Sequence, residues 1–501
     1  SATQAVNPEC VNNQLLIDEQ QVDQIEAALT TVSLDGGLAL FDFGGGSSLW
    51  GRGGVYFLSG EASDDSLGFR ASLDYRATNN LRFGAGVQND GVFGTNAIFS
   101  ANALIGGRSR RSYDTDENST ERRDRRWARA AEPINRTNTV LVENRADVEI
   151  VQEDVAAINP ETGNAFVFRH VDPSANSVVN GVLAEEIIRE GTFENPLTTI
   201  AQAANVADAN ADNIIFVQEG SAGGGFTLPE GVQVRSVGPV QQLDTQFGEV
   251  ILPGSGSGNL PTVTGQVTIG NNTLVSGLEI NPNKFDIGAE VDFGVVVALE
   301  PQVVNGIEAN GENITLEDNV IANVDTGINL PDIDGTVTIV RNQISNTNDE
   351  GISFGDIADE DNATVTIADN TLETVDGNGI AFDFIEGNAI ANITVANNQI
   401  TDTQVAGIFF DEIQGNAAAT ITVEGNIINA ENGDADEGIE FDRIEENANA
   451  TITVNENQIS NVGNSGNAGI LFDDIQEMAT AVITIGGNTI TDSGDDVIEF
   501  G

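Results

Sequence analysis

Apolar and polar residues alternate in a repeat that runs from about Gly306 to the C-terminus. Each copy contains a segment of the form x-T-[V/I]-T-[I/V], followed by a segment of the form G-I-x-F. Such alternation predicts strands with one face inward, and a repeat of about 20 to 50 residues is typical of a solenoid. The glycines that begin the second segment, spaced 24 to 31 residues apart, are Gly327, Gly351, Gly379, Gly407, Gly438 and Gly469.

A single copy cannot bury its apolar face, so successive copies are expected to stack. Stacking predicts an interior column of Phe354, Phe382, Phe410, Phe441, Phe472 and Phe500. It places a second column beside the first, formed by Ile352, Ile380, Ile408, Ile439, Ile470 and Ile498. Asparagine tolerates left-handed backbone and can bond its neighbour in an internal ladder. It recurs just after the first segment, where the coil must turn, as Asn342, Asn370, Asn398, Asn426, Asn457 and Asn488.

The stacking pattern predicts an all-β fold in which residues 191–501 form one parallel β-helix. No helical periodicity separates the predicted strands, which excludes alternating helices and strands. The pattern resembles the right-handed pectate-lyase-like helices. That resemblance implies a fold but no particular activity.

The N-terminal third has two other patterns. Residues 1–33 are predicted to be a lead-in with an amphipathic helix around Asn13 to Thr30, because five apolar residues recur at roughly helical intervals: Leu15, Ile17, Val22, Ile25 and Leu29. Residues 34–145 are predicted to form an antiparallel sheet or a barrel-like domain. Its Gly-rich alternating segments are typical of transmembrane β-strands: Gly37–Phe43, Trp50–Leu58, Ser66–Tyr75, Leu81–Val87 and Asn96–Ile105.

An Arg-rich loop lies within this domain, at residues 108–129. It holds eight of the chain's 20 basic residues: Arg108, Arg110, Arg111, Arg122, Arg123, Arg125, Arg126 and Arg129. The loop is expected to be solvated, or alternatively to face acidic lipopolysaccharide or line a barrel lumen. No nucleic-acid partner is expected, because no known nucleic-acid-binding motif accompanies the arginines and the net charge is -58. That charge favours binding of divalent cations.

The segment from Pro133 to Arg145 resembles the closing barrel strand of the inverse autotransporters, the family of intimins and invasins. The matching residues are Arg136, Asn138, Val140, Val142 and Glu143. Residues 146–190 are interpreted as a linker and the beginning of the β-helix. His170–Asp172 and Gly191–Ile200 resemble the start of a β-helix passenger in cyanobacterial and planctomycete relatives.

The resemblance implies an extracellular, outer-membrane or cell-surface protein of a Gram-negative-type bacterium, such as a cyanobacterium. Residues 34–145 would associate with the outer membrane. The family's barrel resembles a twelve-stranded cylinder, whereas about six strands are predicted here. Either the N-terminal half is absent, or several chains contribute, or the strands form a soluble sheet that caps the helix.

Candidate chemistry is concentrated in a column of aspartates. Asp383, Asp411, Asp442 and Asp473 each follow a column phenylalanine, so they are predicted to stack about 4.8 Å apart. Stacked like charges are destabilising unless they are bridged. The sequence therefore predicts a calcium ladder, with Asp356, Glu412 and Asp474 as further ligands, or alternatively a hydrated acidic edge.

Few residues of this chain are suited to catalysis. Between Gly191 and Gly501 the only basic residues are Arg235, Lys284, Arg341 and Arg443. The single histidine, His170, is expected to be a hydrogen-bonded structural residue, and the single cysteine, Cys10, excludes a disulfide framework. No catalytic residue and no enzymatic activity are predicted.

The predicted function is that of a non-enzymatic surface protein: an adhesin, a stalk or a building block of a filament or surface layer. It is expected to self-associate head to tail or through strand edges, and to bind an extracellular glycan or a cell surface. One alternative is a β-helix lyase or hydrolase that processes polysaccharides. Another is an ice-binding solenoid, because threonine recurs at outward positions: Thr338, Thr366, Thr394, Thr422, Thr453 and Thr484. No secretory signal opens the chain, so Ser1 is expected to be a mature or trimmed N-terminus.

Overall fold

The protein is a right-handed parallel β-helix preceded by an antiparallel sheet. The structure is a computed structural model, and it describes residues 2–44, 47–59, 65–78, 81–103, 142–176, 189–208, 213–282, 304–358, 360–430, 437–462, 468–476, 478–494 and 496–501. The predicted fold class is confirmed.

The first residues form strands, so the predicted amphipathic helix is wrong. Strands β1 (Ala2–Val11) and β2 (Gln14–Ala28) form a three-stranded sheet with β8 (Val142–Ala156), in the order β1-β2-β8. Leu15 and Ile17 lie two residues apart and are both buried, as the same face of a strand requires. They pack with Phe166 in a small core. The packing of Leu15 and Ile17 in this core outweighed the roughly helical spacing of Val22, Ile25 and Leu29.

A five-stranded antiparallel sheet follows, which we call the amphipathic sheet. Its strands pair in chain order: β3 (Thr30–Gly44), β4 (Ser47–Ser59), β5 (Ser66–Thr78), β6 (Leu81–Asp90) and β7 (Gly94–Ala103). The five alternating segments of the sequence overlap these five strands, and the remaining strand of the predicted six falls in a part of residues 34–145 that lies largely outside the described residues. The Arg-rich loop, 108–129, lies outside the described residues, as do Arg136, Asn138 and Val140 of the segment that resembles a closing strand.

The β-helix has three parallel sheets. Sheet A has eleven strands: β9 (Val167–Val171), β10 (Asn213–Val217), β13 (Gln233–Ser236), β18 (Thr273–Ser276), β21 (Ile314–Glu317), β24 (Gly335–Val340), β27 (Asn362–Ala368), β30 (Ile390–Ala396), β33 (Ala418–Glu424), β36 (Asn449–Asn455) and β39 (Thr480–Gly486). Its first strand therefore precedes residue 191, where the β-helix was predicted to begin.

Sheets B and C have ten strands each. Sheet B contains β11 (Gly220–Gly223), β16 (Pro261–Val263), β19 (Glu279–Ile280), β22 (Val320–Val324), β25 (Gln343–Thr347), β28 (Thr371–Val375), β31 (Gln399–Thr403), β34 (Ile427–Asn429), β37 (Gln458–Ser460) and β40 (Thr489–Thr491). Sheet C contains β12 (Phe226–Leu228), β17 (Val267–Ile269), β20 (Ile307–Ala309), β23 (Ile328–Asp332), β26 (Ile352–Ile357), β29 (Ile380–Ile385), β32 (Ala406–Ile413), β35 (Glu437–Ile444), β38 (Ile470–Ile475) and β41 (Ile498–Phe500).

Three short elements lie in the early coils. A 3-10 helix spans Pro173–Asn176, helix α1 spans Ile200–Val206, and β14 (Gln242–Thr245) pairs with β15 (Gly248–Ile251) as an antiparallel hairpin. Thr199 is the N-cap of helix α1, and its side-chain oxygen accepts a hydrogen bond from the Gln202 amide at 3.2 Å. Its buried Ile200 joins the main core.

The predicted phenylalanine column is confirmed. Successive rings from Phe354 to Phe472 stack with centroids 4.4 to 4.9 Å apart and nearly parallel planes. Phe500 continues the stack at 5.1 Å. The isoleucine column lies in register beside it, as in the pairing of Ile380 with Ile408. The repeat glycine is needed for close packing, because a Cβ on Gly379 would lie 2.5 Å from the Gly407 carbonyl oxygen.

The predicted asparagine ladder is also present, and it begins one coil earlier, at Asn319. Each Asn Nδ2 donates to the Oδ1 of the next Asn, at 3.0 Å between Asn370 and Asn398. The left-handed residue of the turn is the one before the ladder asparagine, for example Asp369 with φ 57° and Asn397 with φ 56°. The ladder asparagines therefore form hydrogen bonds, and the left-handed backbone is adopted by the residue before each of them.

Candidate functional site

The four predicted aspartates lie on adjacent strands of sheet C, and we call them the acidic column. Asp383, Asp411, Asp442 and Asp473 each follow an inward phenylalanine, and those phenylalanines are paired in register. Because successive side chains of a strand point to opposite faces, the aspartates lie on the outer side of the sheet. Asp473 is exposed and the other three are partly buried.

A basic residue, Arg443, lies within the acidic column. Its Nη2 is 2.6 Å from Asp411 Oδ1 and 3.8 Å from Asp442 Oδ2, and it also forms an ion pair with Glu412. The strand register explains this, because Arg443 pairs with Glu412 of the preceding coil. The sequence analysis did not bring Arg443 together with the acidic column. Aligning the second residue after each column phenylalanine would have revealed the contact.

Burial and mutual repulsion raise the pKa of several carboxyl groups in and beside the acidic column. Burial, and then the charges of Asp411 and Asp356, raise the pKa of Asp383. Burial also raises the pKa of Glu350 to about 7, with a further contribution from Asp349. The pKa of Asp442 is raised by burial, although Arg443 acts in the opposite direction. Asp383, Glu350 and Asp442 therefore hold protons more readily than free carboxylates do.

Within the part of the chain that the structure describes, no group of three or more His, Cys, Asp or Glu side chains is arranged to hold a metal ion. Calcium binding at the acidic column stays a prediction. Arg443 already neutralises part of the charge that a cation would bridge. Near Asp383, the neighbouring charges that affect its pKa are all carboxylates, and no basic residue is among them.

His170 is buried, but it is not the hydrogen-bonded residue that was predicted. Neither ring nitrogen has a hydrogen-bond partner among the described residues. The ring instead packs as an aromatic side chain, with centroids 5.9 Å from Phe168, 5.4 Å from Phe193 and 6.2 Å from Phe216. Burial lowers the pKa of His170 to about 4, against a small opposing effect of Glu194. The His170 ring therefore contributes to aromatic packing.

The buried imidazole leads to a pH-dependent prediction. A folded-state pKa near 4, against about 6.5 in the unfolded chain, means that the unfolded chain binds the proton more readily. The free energy of unfolding should therefore fall by about 2 kcal/mol from this residue as the pH drops from about 7.5 to 5. The His170→Phe variant should lack this component. Denaturant midpoints that fall in parallel for both proteins would contradict the prediction.

The outward side of strands β24, β27, β30, β33, β36 and β39 of sheet A carries the predicted threonine columns, and we call it the threonine face. Thr338, Thr366, Thr394, Thr422, Thr453 and Thr484 pair in unbroken register along it. A second, more exposed column contains Thr336, Thr364, Asn392, Thr420, Thr451 and Val482. Ice binding by this face stays a prediction.

One side of the amphipathic sheet is apolar and exposed, and we call it the apolar face. Residues paired across neighbouring strands share a side, as Leu34, Val55 and Phe69 do. Phe99 is 81% exposed and Leu67 is 72% exposed. The other large residues of this face are Val32, Leu38, Phe57, Leu73, Tyr75, Phe83 and Val87. A hollow of about 550 Å³ on it is lined by Leu49, Leu73, Tyr75, Phe83 and Phe99.

The opposite side of the same sheet is polar. Arg70 Nε donates to Asp35 Oδ1 at 2.6 Å, and Arg52 Nε lies 2.9 Å from Asp74 Oδ2. The sheet thus separates a paired, charged side from a side of aliphatic and aromatic residues. This is the pattern of a sheet with water on one side and an apolar medium on the other.

Comparison with known proteins agrees with the β-helix. Residues 267–416 match the family described as right handed beta helix region. The catalytic unit of a thermostable GH87 alpha-1,3-glucanase from Streptomyces thermodiastaticus strain HF3-3 is 12% identical, over 97% of this chain and 94% of that chain, with a TM-score of 0.32. The surface protein and adhesin PfbA of Streptococcus pneumoniae is 10% identical, over 66% of this chain and 99% of that chain, with a TM-score of 0.22. At these identities and TM-scores, the two structures do not indicate a function for this chain. No curated protein matches the chain.

Among the described residues, none of the helices has the length and apolar character needed to cross a bilayer.

Proposed function

We propose that this protein is a non-enzymatic surface protein whose amphipathic sheet lies in an outer membrane and whose β-helix extends outside the cell as an adhesive or structural rod. The apolar face carries this proposal. Soluble monomers rarely expose contiguous apolar patches beyond a few hundred Å². Five strands about 4.8 Å apart, with about ten residues each, give a face of roughly 700 Å².

Strand length and side-chain distribution support a lipid environment. The strands of the amphipathic sheet are 10 to 15 residues long. A tilted strand needs about 9 to 11 residues to cross the hydrocarbon layer. In water, Leu34 and Phe99 would stay hydrated on a face with few polar groups, whereas lipid would cover them.

The order of the two regions supports a likeness to inverse autotransporters, in which a membrane domain precedes a β-helix passenger. In hydrocarbon, the outer strands β3 and β7 of the described sheet need hydrogen-bond partners on their far edges. In this proposal further strands, of the same chain or of other chains, supply them. A Gram-negative-type bacterium such as a cyanobacterium is the host that this arrangement implies.

Periodicity supports a binding or structural role for the β-helix in preference to catalysis. The acidic column has one member in each of four adjacent coils, as a repeat requires, and is not built around one point. A column of this kind suits a repeating ligand, such as an extracellular glycan or a cell surface. Calcium is the proposed ion that offsets repulsion near Asp383.

The membrane proposal predicts that wild-type protein floats with liposomes made of outer-membrane lipids and needs detergent to remain dispersed. Phe99→Arg should reduce the membrane-bound fraction strongly, since a basic residue on a lipid-facing strand costs about 2 to 4 kcal/mol at the midplane. Ser100→Arg, the adjacent residue on the polar side, is the matched control and should float normally.

Wild-type protein that stays dispersed without detergent and does not float would contradict the proposal. Equal loss of flotation in both variants would contradict the assignment of the apolar face to lipid.

A second candidate function is polysaccharide cleavage at the acidic column. Two observations favour it: Arg443 contacts Asp411, and burial holds the pKa of Glu350 near 7, within the range of a general acid. We expect no activity. Incubation with neutral and acidic polysaccharides should release no new reducing ends or unsaturated products. Turnover that is lost in both Glu350→Gln and Asp411→Asn would establish the enzyme instead.

A further inference from the structure

The threonine face stands out by its lack of charge. Glu424 is the only charged residue in the six strands that form it. The chain as a whole has a net charge of -58. Sheet C carries the acidic column, and sheet B has shorter strands with Glu373 and Asp402 at its surface. Toward the N-terminus the threonine face ends at Glu317, which forms an ion pair with Arg341.

The threonine face is also strictly periodic. Its six strands pair residue by residue without a register shift. Its columns therefore rise at the strand spacing of about 4.8 Å, with shallow grooves between the rows of side chains. A ligand that covers the whole face must have the same period. A second copy of this chain has the same period, because its strands have the same spacing.

We propose that two copies of this protein pair face to face through the threonine face. The contact is isologous, so the columns of one copy oppose the columns of its partner about a two-fold axis. Rows of small and β-branched side chains then interdigitate, as they do in dry interfaces between sheets. This inference goes beyond the proposed function, because it holds whether or not the amphipathic sheet lies in a membrane.

The size of the face is sufficient for a stable pair. Six strands about 4.8 Å apart, with about seven residues each, cover roughly 600 Å² in each copy. The pair would bury roughly 1,200 Å² in total, at the lower end of specific interfaces. Ile390, 49% exposed, and Val482, 55% exposed, would contribute apolar area to it.

Charge selects this face for self-association. Two chains with the same large negative charge repel each other, and contact through sheet C would place Asp411 and its neighbours against carboxylates of the other copy. Apart from Glu424 at the end of β33, the threonine face lets two sheets approach without burying charge. Because the remaining repulsion is screened by ions, dimerisation should strengthen as salt is raised. An interface built on ion pairs would weaken as the salt concentration is raised.

The test compares two double variants of the full chain in a mild non-ionic detergent by sedimentation equilibrium. Thr394→Glu with Thr422→Glu places two carboxylates at paired positions in the middle of the threonine face. Thr371→Glu with Gln399→Glu adds the same charge at paired positions of sheet B. We expect the first variant to dimerise at least about tenfold more weakly than wild type, and the control to change by less than about threefold. Thermal unfolding of both variants checks that the β-helix is retained.

Site-specific crosslinking is the second measurement and does not depend on stability. Cys10 is buried, and burial raises the pKa of its thiol to about 11, so it does not compete with an introduced thiol. Thr394→Cys should form covalent dimers with a short bismaleimide, and Thr371→Cys should not. The proposal is overturned if wild-type protein is monomeric at all concentrations and salt levels, if both double variants weaken dimerisation equally, or if Thr371→Cys crosslinks as readily as Thr394→Cys.

Discussion

Replacing Phe410 by alanine is expected to lower the free energy of unfolding by about 3 to 5 kcal/mol, the range for deleting a buried aromatic ring. The ring is 2% exposed and lies between Phe382 and Phe441, with centroid distances of 4.8 and 4.7 Å. Its removal leaves a cavity that the stacked coils cannot fill without shifting both neighbouring rings. Denaturant unfolding of the wild type and the variant measures the difference.

Phe409→Ala is the matched control, because Phe409 is the adjacent residue on the outward side of the same strand. It should cost much less than Phe410→Ala. Amide exchange should localise the loss from Phe410→Ala to the neighbouring coils, since each coil of a solenoid contacts mainly its neighbours. Equal costs for both variants would show that the aromatic column does not support the stack.

Replacing Asn398 by alanine is expected to cost about 3 to 5 kcal/mol, because several buried polar groups lose their partners together. Asn398 Nδ2 donates to the Ile367 carbonyl oxygen at 2.9 Å and to Asn426 Oδ1 at 3.0 Å. Its own Oδ1 accepts hydrogen bonds from the backbone amide and the Nδ2 of Asn370, both at 3.0 Å. Backbone amides of the turn that lose protection with the Asn398 side chain should exchange their hydrogens with water faster in the variant.

Asn392→Ala is the control for this second substitution. Asn392 is exposed on β30, the strand that precedes Asn398, so its removal should change stability by less than about 0.5 kcal/mol. A similar small change for Asn398→Ala would mean that water replaces the ladder without a penalty.

The β-helix could be predicted from the sequence because its repeat is short and each position has the same neighbours in every coil. Phe410 stacks on its equivalents Phe382 and Phe441, so the spacing of the repeat predicts its place. The same reasoning placed the ladder asparagines. It did not identify the left-handed position, since Asp369 and Asn397 vary in type and the repeat does not mark them.

The acidic column was predictable in position but not in its contacts. An aspartate such as Asp411 follows the column phenylalanine in four successive coils, whereas Arg443 occurs once and reaches Asp411 through the strand register. Protonation near Glu350 depends on burial, which the sequence pattern does not report. The hydrogen bonds of His170 were wrongly predicted for the same reason, because its ring packs against Phe193 and Phe216, which are distant in the sequence.

The sequence by itself determined the repeating coils, the two-sided character of the N-terminal strands and the columns of Phe, Ile, Asn, Asp and Thr. These depend on alternation and period, which are local properties of the chain. Only the tertiary structure decided that residues 14–28 form a strand, that Arg443 neutralises the middle of the acidic column and that the buried ring of His170 has no hydrogen-bond partner among the described residues. Each of these depends on partners far along the chain, and their free energies outweigh local preference.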